Sequence, residues 1–192
     1  MKIGILALQG GVIEHINATN QAAKNLGINC EIIEARTKEQ LQDLDGLIIP
    51  GGESTVLQKL CEREHIFDQI KHTKAIFGTC AGAILLAKKI NNREAEQKTL
   101  GLMDIEITRN DYGRQNESFE QKLETEFGNL NAIFIRAPRI KSTGTTVKII
   151  AKNKGEVVAC VQQTSGHFYL ATCFHPELST IKFHEYFLNS LL

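Results

Sequence analysis

The sequence lacks a charge of either sign in excess: Lys and Arg total 22, and Asp and Glu total 22. That balance argues against recruiting nucleic acid by charge alone, and no long like-charge block forms a tail. It also lacks a long apolar run. The longest strictly apolar stretch, Ala83 to Ala87, is far too short to span a bilayer. The opening MKIGILALQG has a short apolar run but no cleavage-site pattern, so it reads as a strand ending in a turn. These absences predict a cytoplasmic chain with neither a membrane nor a nucleic-acid partner. The five cysteines, Cys30, Cys61, Cys80, Cys160 and Cys173, lack C-x-x-C spacing and are odd in number. That disfavours a disulfide framework and a zinc site, and no metal is expected. The default for each thiol is a small buried hydrophobe.

What is present is alternation. Strand-like KIGILAL, INCEIIEA, GLIIP and AIFG are interleaved with helix-like segments at 12–26, 37–44, 53–64 and 81–90. Short apolar strands alternating with helices predict a parallel sheet covered on both faces. The second half changes character, with strand candidates MDIEIT, AIFIRAP, TVKIIAK, EVVACVQQ and HFYLATCFHPE. Lys154-Gly155 and Ser165-Gly166 are turn signals. The tail reads as a closing amphipathic helix with Ser179 or Thr180 as N-cap. The expected fold is a single α/β domain over 1–192. It has three layers, a flavodoxin-like, mostly parallel central sheet, and antiparallel strands added in the C-terminal half.

The stretch Gly78-Thr79-Cys80-Ala81-Gly82 joins an apolar strand to an apolar helix. G-x-C-x-G has the spacing of the nucleophile elbow, in which strand and helix cross so closely that flanking side chains would collide. A thiol there stands at a helix N-terminus, which favours thiolate. The plainer reading is a core thiol between turn glycines, and the pentapeptide leaves the two evenly weighted. A partner base is found in His175-Pro176-Glu177. Pro176 disfavours helix at His175, and in an extended chain residues two apart face one way, so Glu177 can hold the His175 ring. Most of the six histidines are expected on the surface: His15, His65, His72 and His184 sit in helix-like polar stretches and His167 by a turn. Cys80, His175 and Glu177 supply nucleophile, base and orienter. Pro50-Gly51-Gly52 ends a strand before a helix and exposes backbone N–H groups. With the N–H of Ala81, these could hold an oxyanion. The plainer reading is a βα turn capped by Ser54 or Thr55.

Together, PGGEST, GTCAG and HPE resemble the class I, triad-type glutamine amidotransferases. LQGGVIEH, RNDYGRQNESFE and FIRAP narrow the resemblance to the glutaminase subunits of pyridoxal 5′-phosphate synthase, the PdxT family. It runs nearly end to end. It implies a substrate site for L-glutamine formed by Gly51, Gly52, Glu53 and Ala81, completed by Arg109, Ile135 and Arg136. It implies no cofactor. It also implies a separate PdxS-type synthase subunit, docked near the first helix, that receives ammonia in a hetero-oligomer. Two positions depart from the family pattern: Gly11, where alanine is more usual, and Arg139, where histidine or tyrosine is. The triad alone also admits a glutaminase of another pathway, and the elbow alone admits a DJ-1/PfpI-like reactive-cysteine protein.

Overall fold

A computed structural model describes residues 1–111, 118–164 and 166–192. Residues 112–117 of the RNDYGRQNESFE stretch, and Ser165 of the Ser165-Gly166 turn, lie outside the described residues. The strands are β1 (Lys2–Leu6), β2 (Glu31–Ala35), β3 (Gly46–Ile49), β4 (Ala75–Thr79), β5 (Ala87–Ile90) and β6 (Met103–Thr108). They continue with β7 (Ser118–Thr125), β8 (Gly128–Ile135), β9 (Arg139–Thr143), β10 (Val147–Asn153), β11 (Glu156–Thr164) and β12 (His167–Thr172). The helices are α1 (Val12–Leu26), α2 (Ser54–Arg63), α3 (Phe67–Ile70), α4 (Ala81–Leu86) and α5 (Lys182–Asn189).

A nine-stranded sheet runs in the order β2-β1-β3-β4-β12-β11-β10-β7-β8. The pairs from β2 through β12 are parallel. Those from β12 through β8 are antiparallel. Each residue of β3 and β4 is buried, as strands covered on both faces require. Adjacent residues of β4 show which helix covers which face. The Phe77 ring meets His184 and Phe187 of α5, while Gly78 backs onto Gly82 of α4. Successive strand residues point to opposite faces, so α5 and α4 lie on opposite sides of the sheet. The parallel order is flavodoxin-like and reverses direction between β1 and β3, the place where such sheets bind ligands beyond their carboxyl ends.

Several expectations are corrected. Residues 37–44 form turns rather than a helix. The Gln40 side chain accepts from the N–H groups of Arg36 and Thr37 at 2.8 and 3.1 Å, competing with helical pairing. The helix at 81–90 stops at Leu86. Its last carbonyls accept from the Leu100 and Leu102 N–H groups, and Ala87–Ile90 leaves as β5 to pair with β6 in a second, three-stranded sheet. Strands β7 and β9 are additions to the expected set: SFEQKLET and RIKST are mostly polar, with one buried residue each, Leu123 and Ile140. The N-cap of α5 is Ile181, although the Thr180 hydroxyl accepts from the Lys182 N–H at 3.2 Å.

Two histidines expected on the surface are fully buried. His15 belongs to the stripe His15, Ala18, Thr19, Ala22 and Ala23 that α1 turns inward, and His184 lies on the buried face of α5. Burial holds the His184 pKa down at about 3, against an ordinary value of 6.5. The unfolded chain therefore binds the proton more readily between these values, and stability falls as pH drops from 6.5 towards 3. His184→Gln should flatten the acid side of a plot of melting temperature against pH. An unchanged slope would assign the acid sensitivity elsewhere.

Candidate active site

Four neighbouring strands deliver their carboxyl ends to one cavity of about 400 Å³. The β1 loop brings Gly10, the β3 loop brings Gly51 to Ser54, β4 brings Cys80, and β12 leads to His175. Arg109, Asn110, Ile135 and Arg136 close the other side.

Cys80 follows β4 with φ 49° and ψ −102°, a conformation few non-glycine residues adopt. Its N–H donates to the Thr172 carbonyl at 2.8 Å, which ties the turn to β12. The flanking glycines have the predicted steric role. A Cβ on Gly78 would stand 2.6 Å from the Gly82 carbonyl, and one on Gly82 would strike the Ile49 carbonyl oxygen. The thiol lies 3.9 Å from the Ile135 carbonyl oxygen.

His175 is anchored by its N–H to the Ile133 carbonyl at 2.8 Å. An extended chain would set His175 and Glu177 on one face. In the structure Pro176–Leu178 instead forms a 3₁₀ turn with His175 at its N-cap. This turn still brings His175 Nδ1 to 2.7 Å from Glu177 Oε1. The Glu177 side chain is 1% exposed and that of His175 12%. Burial alone would lower the His175 pKa. Hydrogen bonds and charge from Cys80 and Glu177 outweigh it and raise the value to about 10. An imidazolium is therefore at home between these two groups.

The glycine loop packs directly on this pair. A Cβ on Gly51 would run into the His175 ring and come within 3.3 Å of Cys80 Cβ. Gly52 has φ +133°, which favours glycine, and Gly10 lies against the Gly51 carbonyl oxygen. Gln9 Nε2 donates to the Glu53 carbonyl at 2.8 Å, joining the β1 and β3 loops. Glu53 accepts from the Thr55 hydroxyl at 2.6 Å. The capping alternative for this loop does not hold, because Glu53 occupies the N-cap of α2 and the Ser54 hydroxyl accepts from Gln97 Nε2.

Of the substrate residues expected from sequence, Gly51, Gly52, Glu53, Arg109, Ile135 and Arg136 all line the cavity. Ala81 is fully buried behind Cys80 and contributes no cavity-lining surface. Arg109 is not ordinary surface charge: its side chain is 11% exposed, and it donates to Glu94 and Gln97. Arg136 is exposed, with φ 42°, where β8 ends. Gly10, Gly11, Ile84 and Asn110 also line the cavity and are not among the site residues expected from sequence, and Ser54 lines it where sequence offered it only as a helix cap. Gly10, in the turn after the first strand, carried a usable signal; Ile84 did not. None of the other cysteines lines the cavity, and burial pushes the thiols of Cys61 and Cys160 up to about 12.

Residues 5–192 match the SNO glutamine amidotransferase family. The chain belongs to that family. Relatives of the SNO glutamine amidotransferase family chain include a pyridoxal 5′-phosphate synthase subunit PdxT from Methanosarcina mazei, 42% identical, with 100% of this chain and 99% of the relative covered. A PdxT from Oenococcus oeni is 45% identical, with 98% and 96% covered. A solved structure of a glutamine amidotransferase superposes with a TM-score of 0.83 at 40% identity, covering 98% of both chains. Membership in the SNO family removes the DJ-1/PfpI-like reading. Among the described residues, no helix is long and apolar enough to cross a membrane, and no cluster of potential metal ligands occurs.

Proposed function

We propose that this chain is the glutaminase subunit of a pyridoxal 5′-phosphate synthase, with Cys80, His175 and Glu177 as its triad. The chain hydrolyses L-glutamine to L-glutamate and ammonia, and the ammonia serves a separate synthase subunit in vitamin B6 biosynthesis. The observation that carries the triad assignment is the Glu177–His175 bond at 2.7 Å beside Cys80, facing a cavity of about 400 Å³, within the range of small-molecule sites.

The proposed chemistry runs as a thiol-based amide hydrolysis. Cys80, as thiolate beside the His175 imidazolium, attacks the side-chain amide carbon of glutamine. The N–H of Ala81 and a glycine-loop N–H hold the developing oxyanion. His175 gives its proton to the amide nitrogen. The C–N bond breaks, ammonia leaves, and a γ-glutamyl thioester remains on Cys80. Water then loses a proton to His175 as it attacks the thioester carbon. The C–S bond breaks, releasing glutamate and restoring the thiolate–imidazolium pair. Glu177 keeps the His175 ring oriented and stabilises its charge throughout. Gly51, Gly52, Glu53, Arg109, Ile135 and Arg136 bind the substrate. Ammonia free in neutral water becomes ammonium and loses its nucleophilicity, so a dedicated PdxS-type acceptor in a hetero-oligomer fits the product.

The isolated chain should be a poor glutaminase that docking switches on. The Gly51–Gly52 peptide borders both Cys80 and His175, and glycine peptides rotate at little steric cost. Misdirecting one oxyanion donor would slow turnover by roughly 10²–10³-fold. Steady-state glutamate release at saturating glutamine, with the synthase subunit titrated in, tests both statements. The expected result is a rise of that size on complex formation. No glutamate release even with a bound synthase contradicts the function, and full activity of the free chain contradicts the gating alone. Activity indifferent to this synthase, but raised by another ammonia acceptor, would favour a glutaminase of another pathway.

A further inference from the structure

Behind Glu177, away from the cavity, lies a second set of buried polar side chains that the chemistry above leaves unused. His15 on α1 and His184 on α5 are both fully buried, with His15 Nδ1 2.9 Å from His184 Nε2. The other nitrogen of His15, Nε2, stands 3.4 Å from Glu177 Oε2 and 3.2 Å from the Thr79 hydroxyl, next to Cys80 in sequence. While Glu177 Oε1 is occupied by His175, its buried Oε2 makes no ordinary hydrogen bond among the described residues.

These contacts determine where the ring protons sit. A neutral imidazole carries one N–H. A ring nitrogen facing a carboxylate oxygen must hold it, since a lone pair there would face negative charge. The His15 proton is therefore on Nε2, and bare Nδ1 accepts from His184 Nε2–H. His184 Nδ1 is then bare as well, and it is a buried ring atom without a partner. The opposite tautomers would strand an N–H at that position, and buried orphan donors are rarer than orphan acceptors. Burial keeps both rings neutral by pushing their pKa values down.

We propose that His15 is a positioning residue for the triad: its Nε2–H steadies Glu177 from behind, and His184 in turn fixes the His15 ring. This rests on the reading of Cys80, His175 and Glu177 as the triad. A carboxylate held at Oε1 alone can swing about its broad terminal torsion, and the His175 ring would swing with it. A donor at Oε2 sets the carboxylate plane. Because the same nitrogen also touches Thr79, one ring references Glu177 to the strand that carries Cys80. The ionisable groups facing His15 are Glu177, His184 and His175. His15 does not line the cavity, so its loss should leave substrate affinity alone.

The test measures kcat and KM for glutamine in the complex with the synthase subunit, using His15→Leu, His15→Gln and Cys80→Ala. Histidine ring ¹⁵N spectra of the unmutated chain accompany it. His15→Leu should lower kcat roughly 10–100-fold at unchanged KM, the range typical of groups that orient metal-binding side chains from behind. His15→Gln, whose amide N–H reaches a similar place, should recover most of the loss. The spectra should show both buried rings neutral and protonated at Nε2. Wild-type kcat in both His15 variants overturns the inference. So does an equal loss in both with a raised KM, or a His15 ring protonated at Nδ1. If His15→Leu fails to fold, His15→Gln and the spectra still decide. Retained hydrolysis in Cys80→Ala would bring down the triad reading itself, whereas an inactive Cys80→Ala beside fully active His15 variants brings down only the role of His15.

Discussion

Cys80→Ala is expected to leave a folded protein that releases no glutamate above background. The substitution removes one sulfur atom at a turn whose strain is set by the backbone and by Gly78 and Gly82, not by the thiol. Fold loss should therefore be small, while removal of the nucleophile should cost roughly 10⁶-fold, the scale seen when the nucleophile of a triad hydrolase is deleted. Cys61 and Cys160 provide the contrast. Both are buried, and their thiols are pushed up to about 12 by burial. Alanine at either position should lower the melting temperature and leave kcat near normal. Equal activity loss from all three substitutions would mean that cavity formation, not chemistry, explains the Cys80 result. The measurements are glutamate release in the complex and thermal unfolding of the free chain.

His175→Asn should have a comparable effect, because it removes both the base and the acid. Glu177→Gln should slow turnover less, by roughly 10⁴-fold, the cost of changing the orienting carboxylate to an amide in a serine protease triad. The ordering follows from the contacts. Glu177 Oε1 bonds His175 Nδ1, so the carboxylate acts by keeping the ring's other nitrogen aimed at the sulfur and by stabilising imidazolium. It transfers no proton itself. The pH profile supplies a second readout: with Glu177→Gln the imidazolium loses a stabilising charge, so proton loss from His175 should move to lower pH. A Glu177→Gln variant with wild-type kcat would reduce the His175–Glu177 contact to a structural pairing.

The catalytic edge of the sheet was legible in the sequence because its signals are local. Gly78 and Gly82 flank Cys80 at fixed spacing, Pro50 to Gly52 ends an apolar strand, and Pro176 restrains its neighbours. Each of these constraints acts within a few residues. The parallel half of the sheet was legible for the same reason, since β3 and β4 are buried on both faces and read as unbroken apolar runs. The antiparallel half was less so. Strand β7 does alternate, exposing Ser118, Glu120, Lys122 and Glu124, but only Phe119 and Leu123 are apolar on its inner face, a weak signal, and its pairing with β8 is a tertiary matter. The break at Leu86 depends on Leu100 and Leu102, distant residues that capture the last helical carbonyls. His15 was readable in principle. It falls on the stripe with Ala18, Thr19, Ala22 and Ala23, and helical periodicity would have placed it inside. Treating it as surface followed residue type instead of position. His184, three residues before Phe187 on α5, was missed the same way.

The central claim is that Cys80 carries the acyl group of glutamine. The most direct measurement is peptide mapping by mass spectrometry after the complex meets a glutamine-analogue electrophile, with residual glutaminase activity followed in parallel. The account predicts one modified residue, Cys80, labelled in proportion to lost activity and protected by excess glutamine. Full labelling of Cys80 with activity intact, or loss of activity tracking modification of another residue, would contradict it.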